Sequence, residues 1–413
     1  SMSLHAWLSE TGGGFHPNVS FTGDAFGSRV IASDHLPKDL TIVSCPFGLA
    51  ITQAAAQRAV LETLGISASE NIQWSERQWI STYISLHWIL ASEDDKAGKK
   101  SLVHAIYLDT LPTWEKLRTP LHFTPSELDI YKGTNLYGAA LDRDRLWRIE
   151  WTACQTFVGR ANANWANLFT WSVVLDRYLT AATYLSSRAF PSSLLSPTPS
   201  LAHSPTSQPV LLPGVDALNH ARGQPISWVV TYPNTNDTSQ EPKISLVLHT
   251  ATLKGDELFN NYGPKPNSEL ILGYGFSIPH NPDDTIVLKI GGSFEDGKKW
   301  EIGRETKGVE NMWTDLMRAF IQDSSQNPSY EDMLDASSAL QEMVQNFIDR
   351  LPAEEIVETT EIRVEVIAMF QDYLEGQRDI LRSLMEFAKA QERLALEMAR
   401  EKGVEIVFDD EEE

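Results

Sequence analysis

Cysteine is nearly missing: Cys45 and Cys154 are the only two in 413 residues. Two thiols build neither a disulfide framework nor a thiolate zinc site, so no metal is expected, and a reduced compartment, cytoplasmic or nuclear, is. Long apolar runs are missing too. None approaches the ~20 residues that cross a bilayer, so no membrane contact is expected. Basic charge is short, with 34 Lys and Arg against 56 Asp and Glu and a net charge of −22. That balance argues against nonspecific nucleic-acid binding, which depends on neutralising phosphates. It suits a basic protein partner, or simply solubility. Ser1 to Leu8 carry no basic stretch ahead of an apolar core, so no secretory leader is expected, and Ser1 before Met2 reads as a remnant of an expression tag. No internal repeat is evident, and a monomer is expected.

What is present points to packed cores. Hydrophobic residues make up 42% of the chain and tryptophan occurs 12 times, which is too much apolar area for disorder. The length exceeds one compact domain, so two or three folding units are expected. Residues 5–50 read as a short helix at Trp7 and Leu8, then short β runs between Gly, Asp and Pro, with Gly12-Gly13-Gly14 as a flexible linker. Over residues 51–185 the pattern turns helical, beginning with a run from Ala54 to Leu61. Trp79, Ile80, Tyr83, Ile84 and Leu90 recur at helical spacing, as do Leu146, Trp147, Ile149, Phe157, Val174 and Leu175. Lys96 to Lys100 reads as a solvated loop. Pro191 to Pro209 is rich in Ser, Pro and Thr, and reads as a mobile loop. Beyond Gly291-Gly292 helices return, with Met312, Leu316 and Met317 on one stripe and Leu340, Met343 and Val344 on another. Arg363 to Arg400 reads as one long helix or two. Asp409 to Glu413 reads as a solvated end.

The densest stretch is Leu211 to Phe276. It opens on Asp216-Ala217-Leu218-Asn219-His220 and continues through strand-like runs at Ile226–Tyr232 and Ile244–Thr250. Next come Gly255-Asp256-Glu257-Leu258-Phe259 and Tyr262-Gly263. It closes on Tyr274-Gly275-Phe276. Upstream stand Ser187-Arg188-Ala189-Phe190 and the turn Gly27-Ser28-Arg29. A lone Asn-His or Tyr-Gly-Phe is usually a satisfied turn or a core tyrosine. The ordered set, at compatible spacing, is far more specific.

That set resembles the SET domain of protein lysine methyltransferases, in the branch typified by the Rubisco large-subunit methyltransferase and the fungal ribosomal-protein methyltransferases. The resemblance covers nearly the whole chain and is densest at 183–276. It implies an α+β protein: a β-rich SET fold split by an all-helical insertion and followed by an all-helical C-terminal lobe. Four segments follow: 1–52 and 183–290 as the two parts of the SET domain, 53–182 as the insertion, and 291–413 as a substrate-binding lobe. The signatures Tyr107-Leu108-x-x-Leu111-Pro112 and Tyr373-x-x-Gly376-Gln377-x-x-Ile380-Leu381 match the same branch.

By resemblance the cofactor is S-adenosyl-L-methionine (AdoMet). Gly27, Ser28, Arg29, Ser187, Arg188, Asn219 and His220 are then expected to bind it. Arg188 would stand by its carboxylate, where a guanidinium fork fits. Tyr262 is implied at the methyl-transfer centre, and Phe190, Asp216, Tyr262 and Tyr274 at the lysine site. His220 is not read as a metal ligand, because no partner stands at ligand spacing. The chemistry suits such residues. A lysine amine with a pKa of ~10.4 must lose its proton, at a cost of about 4–5 kcal/mol at pH 7, and a dry channel beside a cation lowers that cost.

The implied function is AdoMet-dependent protein-lysine N-methylation of a non-histone protein such as a ribosomal protein or translation factor. One alternative is a protein-histidine N-methyltransferase, against which the apolar Phe190 counts. The other is an inactive SET-derived protein-binding module, which the departure from Gly-x-Gly-Leu at Gly27-Ser28-Arg29 keeps open.

Overall fold

The structure, a computed structural model, describes residues 3–24, 27–91, 100–171, 177–200, 206–233, 241–289, 298–321, 327–353 and 361–406. Phe26, Lys96 to Lys99, Val174, Leu175, residues 201–205, Gly291-Gly292 and the acidic end lie outside them. No helix among the described residues is long and apolar enough to cross a membrane. The chain divides into two compact units. One comprises residues 1–122, 142–264 and 273–275. The other comprises 123–141, 265–272 and 276–413.

Among its described residues the first unit holds ten strands: β1 (Gly14–Phe15), β2 (Val19–Asp24), β3 (Gly27–Ala32), β4 (Leu40–Pro46), β5 (Phe190–Pro191), β6 (Pro209–Val210), β7 (Asn219–His220), β8 (Ile226–Thr231), β9 (Lys243–Leu248) and β10 (Phe259–Asn260). Its main sheet has the order β1-β4-β9-β8, antiparallel throughout, with Val43 opposite Leu246 and Trp228 opposite Leu246 on the other side. β2 and β3 form a hairpin. β7 and β10 pair in parallel.

Gly12 to Gly14 are not a linker. Gly14 sits in β1 opposite Ser44, and the neighbouring Phe15 is buried under the sheet. The Ser/Pro-rich stretch is likewise anchored at both ends, because β5 pairs with β6 and Leu194 is wholly buried. One apolar leucine gives that end a place in the core that the surrounding composition hides.

Helix Gln53–Leu64 shows why the chain turns helical where it does. The Thr52 side chain accepts from the Ala55 amide, and Gly65 ends the helix in the left-handed region, as capping physics predicts. Helix Glu76–Ala91 is buried on nearly every face. Within its core Tyr83 and His104 meet at 2.6 Å, while His87 and His104 carry neutral rings. Helix Asn135–Ala161 buries Trp147 and Phe157 but leaves Leu146 and Ile149 exposed.

In the second unit β11 (Thr285–Lys289) pairs with β12 (Lys299–Gly303). Their apolar faces, Ile286, Leu288 and Ile302, join Met312, Leu340, Val344 and Ile380 in one core. Val364–Glu401 is a single helix. Val366, Phe370, Tyr373, Gln377, Ile380, Leu384 and Ala388 form its buried stripe, three or four residues apart. Gly376 lies on that stripe because a Cβ there would stand 2.3 Å from the Asp284 carboxylate. Asp284 in turn meets Arg304, which also bonds Glu375 and Asp379.

Candidate active site

The first unit contains a cleft of about 620 Å³, within the range that holds a small cofactor. Its walls come from residues 3–5, the β2–β3 hairpin, residues 106–111 and 216–219, and Arg188. Ser28, Arg188, Asp216 and Asn219, expected from sequence to work together, all line it.

Arg188 closes helix Arg177–Arg188. Its Nη1 donates to both the carbonyl oxygen and Oδ2 of Asp216, each at 3.1 Å. Burial opposes the guanidinium charge most strongly, but Asp216, with Tyr107 and Tyr262 beside it, together outweigh burial and hold Arg188 ionised. The Asp216 carboxylate accepts a second bond, from the Tyr107 hydroxyl at 2.8 Å. Cys45 stands near the same carboxylate. Burial first, and Asp216 second, push its thiol far above the usual range, so it is inert.

Asn219 and His220 form β7, whose parallel partner β10 draws the two halves of the motif together. The Asn219 amide donates to the Ser28 carbonyl at 3.1 Å and to Glu257 at 2.8 Å. His220 accepts the Tyr262 amide on Nδ1 at 3.0 Å, which leaves the proton of a neutral ring on Nε2. The Tyr262 hydroxyl donates to the Leu218 carbonyl at 2.9 Å. Leu218 lies between two cleft residues, Ala217 and Asn219. Burial pushes the Tyr262 hydroxyl well above the ordinary phenol range, against the pull of Arg188, so it stays neutral.

The rings of His220, Tyr262 and Tyr274 stack in sequence, with centroids 5.0 and 5.3 Å apart. Tyr274 ends a π-helical turn, Leu270–Tyr274, a distortion common at functional sites. Gly275 follows at φ +79°. A side chain there would meet the Arg118 backbone at 2.8 Å, so only glycine fits behind Tyr274.

Other expected residues sit elsewhere. Ser187 donates to the Thr183 carbonyl of its own helix at 2.7 Å, while Ser186 bonds Gly273. Gly27 and Arg29 lie on β3, outside the cleft lining. Arg29 approaches Glu257 at 3.8 Å. Phe190 is in the core, edge-on to Trp228. Tyr107 belongs to the Tyr-Leu-x-x-Leu-Pro signature, from which no role in the site follows. Its signal was the polar tip on a turn otherwise apolar.

No protein-family model matches the chain. The chain is 33% identical over 293 residues to the ribosomal lysine N-methyltransferase set10 of Schizosaccharomyces pombe, covering 70% of this chain and 47% of that protein. It is 29% identical over 212 residues to ribosomal lysine N-methyltransferase 1 of Saccharomyces cerevisiae, covering 45% and 34%. Among solved structures, the SET domain of LSMT bound to lysine and AdoHcy superposes with a TM-score of 0.71 at 17% identity, covering 96% of this chain and 92% of that one. The chain has the SET fold. Rubisco LSMT bound to AdoMet gives a TM-score of 0.67 at 16% identity, covering 98% and 96%, an identity at which the likeness speaks for fold alone. The chain spans about half or less of the length of the curated relatives it matches.

The cleft fits AdoMet on its own terms. It has the volume, and Arg188 is the one arginine or lysine among its described lining residues. Asn219 and Ser28 stand with it on the same wall.

Proposed function

We propose that the chain is an AdoMet-dependent protein-lysine N-methyltransferase acting on a ribosomal protein. The observation that carries this is one cleft that gathers Arg188, Asp216 and Asn219, with the Tyr262 hydroxyl tied to the Leu218 carbonyl between them. The printed names of the fungal relatives supply the substrate class.

AdoMet supplies a methyl group already activated on a sulfonium. Arg188 holds the cofactor carboxylate with the donors that Asp216 leaves free, and Asn219 and Ser28 frame the rest from the cleft wall, backed by His220, Ser187, Gly27 and Arg29, which stand outside its lining. Tyr262 and Tyr274 present a neutral, apolar wall to an arriving lysine stem, and Phe190, packed on Trp228, is the remaining residue assigned to the lysine site. Such a wall excludes water and disfavours the ammonium form, which is what the amine needs to become a nucleophile. A phenol held neutral orients that amine without acting as a base. Asp216 enters as the partner of Arg188, because its carbonyl already accepts the guanidinium. The four-part division at 52/53, 182/183 and 290/291, a monomeric state and a cytoplasmic or nuclear location belong to the same proposal.

The test is methyl transfer from labelled AdoMet into dissociated ribosomal proteins, with mass spectrometry of the product. The expected result is label on a lysine side chain. Tyr262→Phe should cut transfer by ~100-fold or more at unchanged melting temperature. Label on histidine would favour the histidine alternative, and AdoMet binding without transfer the inactive module.

A further inference from the structure

The turn Ala105–Leu108 brings to the cleft a buried phenol that the reading above leaves without work. Tyr107 is 1% exposed. Its hydroxyl donates to Asp216 Oδ2 at 2.8 Å, and Arg188 Nη1 reaches the same oxygen at 3.1 Å. One carboxylate oxygen therefore joins a phenol on one wall to a guanidinium on another. Ile106, Asp109, Thr110 and Leu111, around Tyr107 in sequence, all line the cleft.

We propose that Tyr107 is a positioning residue that, through Asp216, aims the Arg188 guanidinium at a carboxylate bound in the cleft. The proposal rests on the AdoMet reading above. Three observations carry it. Nη1 is the one guanidinium nitrogen of Arg188 with a hydrogen bond to a described residue, so its other donors remain for a ligand. Arg188 is also the one arginine or lysine among the described lining residues, so a bound carboxylate has no other such cation to meet. Finally, an aspartate with one partner could turn about its Cα–Cβ bond, and a second donor on the same oxygen, held by a different element, stops it. A guanidinium fork recognises a carboxylate only in a narrow range of orientations. Fixing Asp216 therefore fixes how well Arg188 can bind, without Tyr107 touching the ligand. Burial, and then the Asp216 charge, push the Tyr107 hydroxyl far above the ordinary phenol range, so it remains a donor.

The experiment measures binding of AdoMet and of decarboxylated AdoMet to the full chain by calorimetry, for wild type and for Tyr107→Phe. The two ligands differ by the carboxylate alone. Wild type should prefer AdoMet. In Tyr107→Phe, AdoMet should weaken by about tenfold while decarboxylated AdoMet stays within about twofold, so the preference collapses. A merely structural Tyr107 would weaken both ligands equally, and that result, or unchanged AdoMet affinity, overturns the proposal. Asp216→Asn should shrink the same preference, and keeps the proposal testable if Tyr107→Phe does not fold. A wild type that binds neither ligand overturns the AdoMet reading and this proposal with it. Wild-type binding with a preserved preference in both variants overturns this proposal alone.

Discussion

Each unit sets an arginine against a buried aspartate, and the two pairs are built for opposite ends. In the second unit Arg304 is saturated. Its Nε donates to the Asn281 carbonyl, Nη1 to Glu375 and Asp379, and Nη2 to Asp284 and Glu375. Nothing remains for a ligand, and helix Val364–Glu401 closes over the site at Gly376. In the first unit Arg188 spends one nitrogen on Asp216 and faces a cleft with the rest. The same residue types thus serve as a strut in one place and as a binding group in the other. What separates them is how many donors the fold consumes.

Arg304→Ala should have the largest effect. It leaves three carboxylates around a vacated guanidinium, which costs about 3–5 kcal/mol, read by urea unfolding. AdoMet should still stabilise this variant as much as it stabilises wild type, whereas Arg188→Ala should gain little or nothing from it. Equal loss of ligand stabilisation in both would erase the distinction between strut and binding group.

Acid should separate the units next. Burial holds His87 and His104 down at about 4, against an ordinary value of 6.5. The folded first unit therefore binds fewer protons than its unfolded chain between those values. Its stability is intact above pH 6.5 and falls by up to about 3 kcal/mol per ring as pH drops toward 4. Asp284 works the other way. Burial pushes its carboxyl up to about 6, against the Asn267 amide and Arg304. Its contribution is present below the ordinary carboxylate range and is lost as pH rises through 6. Hydrogen exchange at pH 4.5 should show the helix Glu76–Ala91 opening well before β11 and β12. The reverse order would mean that other groups govern acid stability.

Gly376→Ala should cost about 1–3 kcal/mol by pressing a methyl into Asp284. A neutral result would show that Asp284 can retreat and that the strut is looser than its bonds suggest. Arg29→Ala should cost less than about 0.5 kcal/mol, since its approach to Glu257 is long and exposed. A large loss of AdoMet affinity there would add Arg29 to the ligand contacts.

Much of the fold was legible because local pattern and final structure agree. The strand-like runs at Ile226 and Ile244 became β8 and β9, and the periodicity after Arg363 became one helix. The Tyr373-x-x-Gly376-Gln377 signature has a plain physical reading. Tyr373 packs, Gly376 gives Asp284 room, and Gln377 donates to the Thr285 carbonyl at 3.0 Å. What stayed hidden depended on partners far along the chain. Tyr107 acquires meaning from Asp216, 109 residues away. The three glycines looked flexible until β4 gave Gly14 a strand to pair with. Ser187 had a competing option that its type always offers on a helix, a bond to the carbonyl four residues back.

The parallel pair β7 and β10 is only two residues long, yet it spans some forty residues of intervening chain. So short a contact cannot nucleate, because closing that loop costs more than two rungs return. It must wait for the hairpin of β8 and β9 to shorten the distance. Ligand affinity is therefore expected to appear after compaction during refolding, a sequence that stopped-flow binding beside intrinsic fluorescence would read.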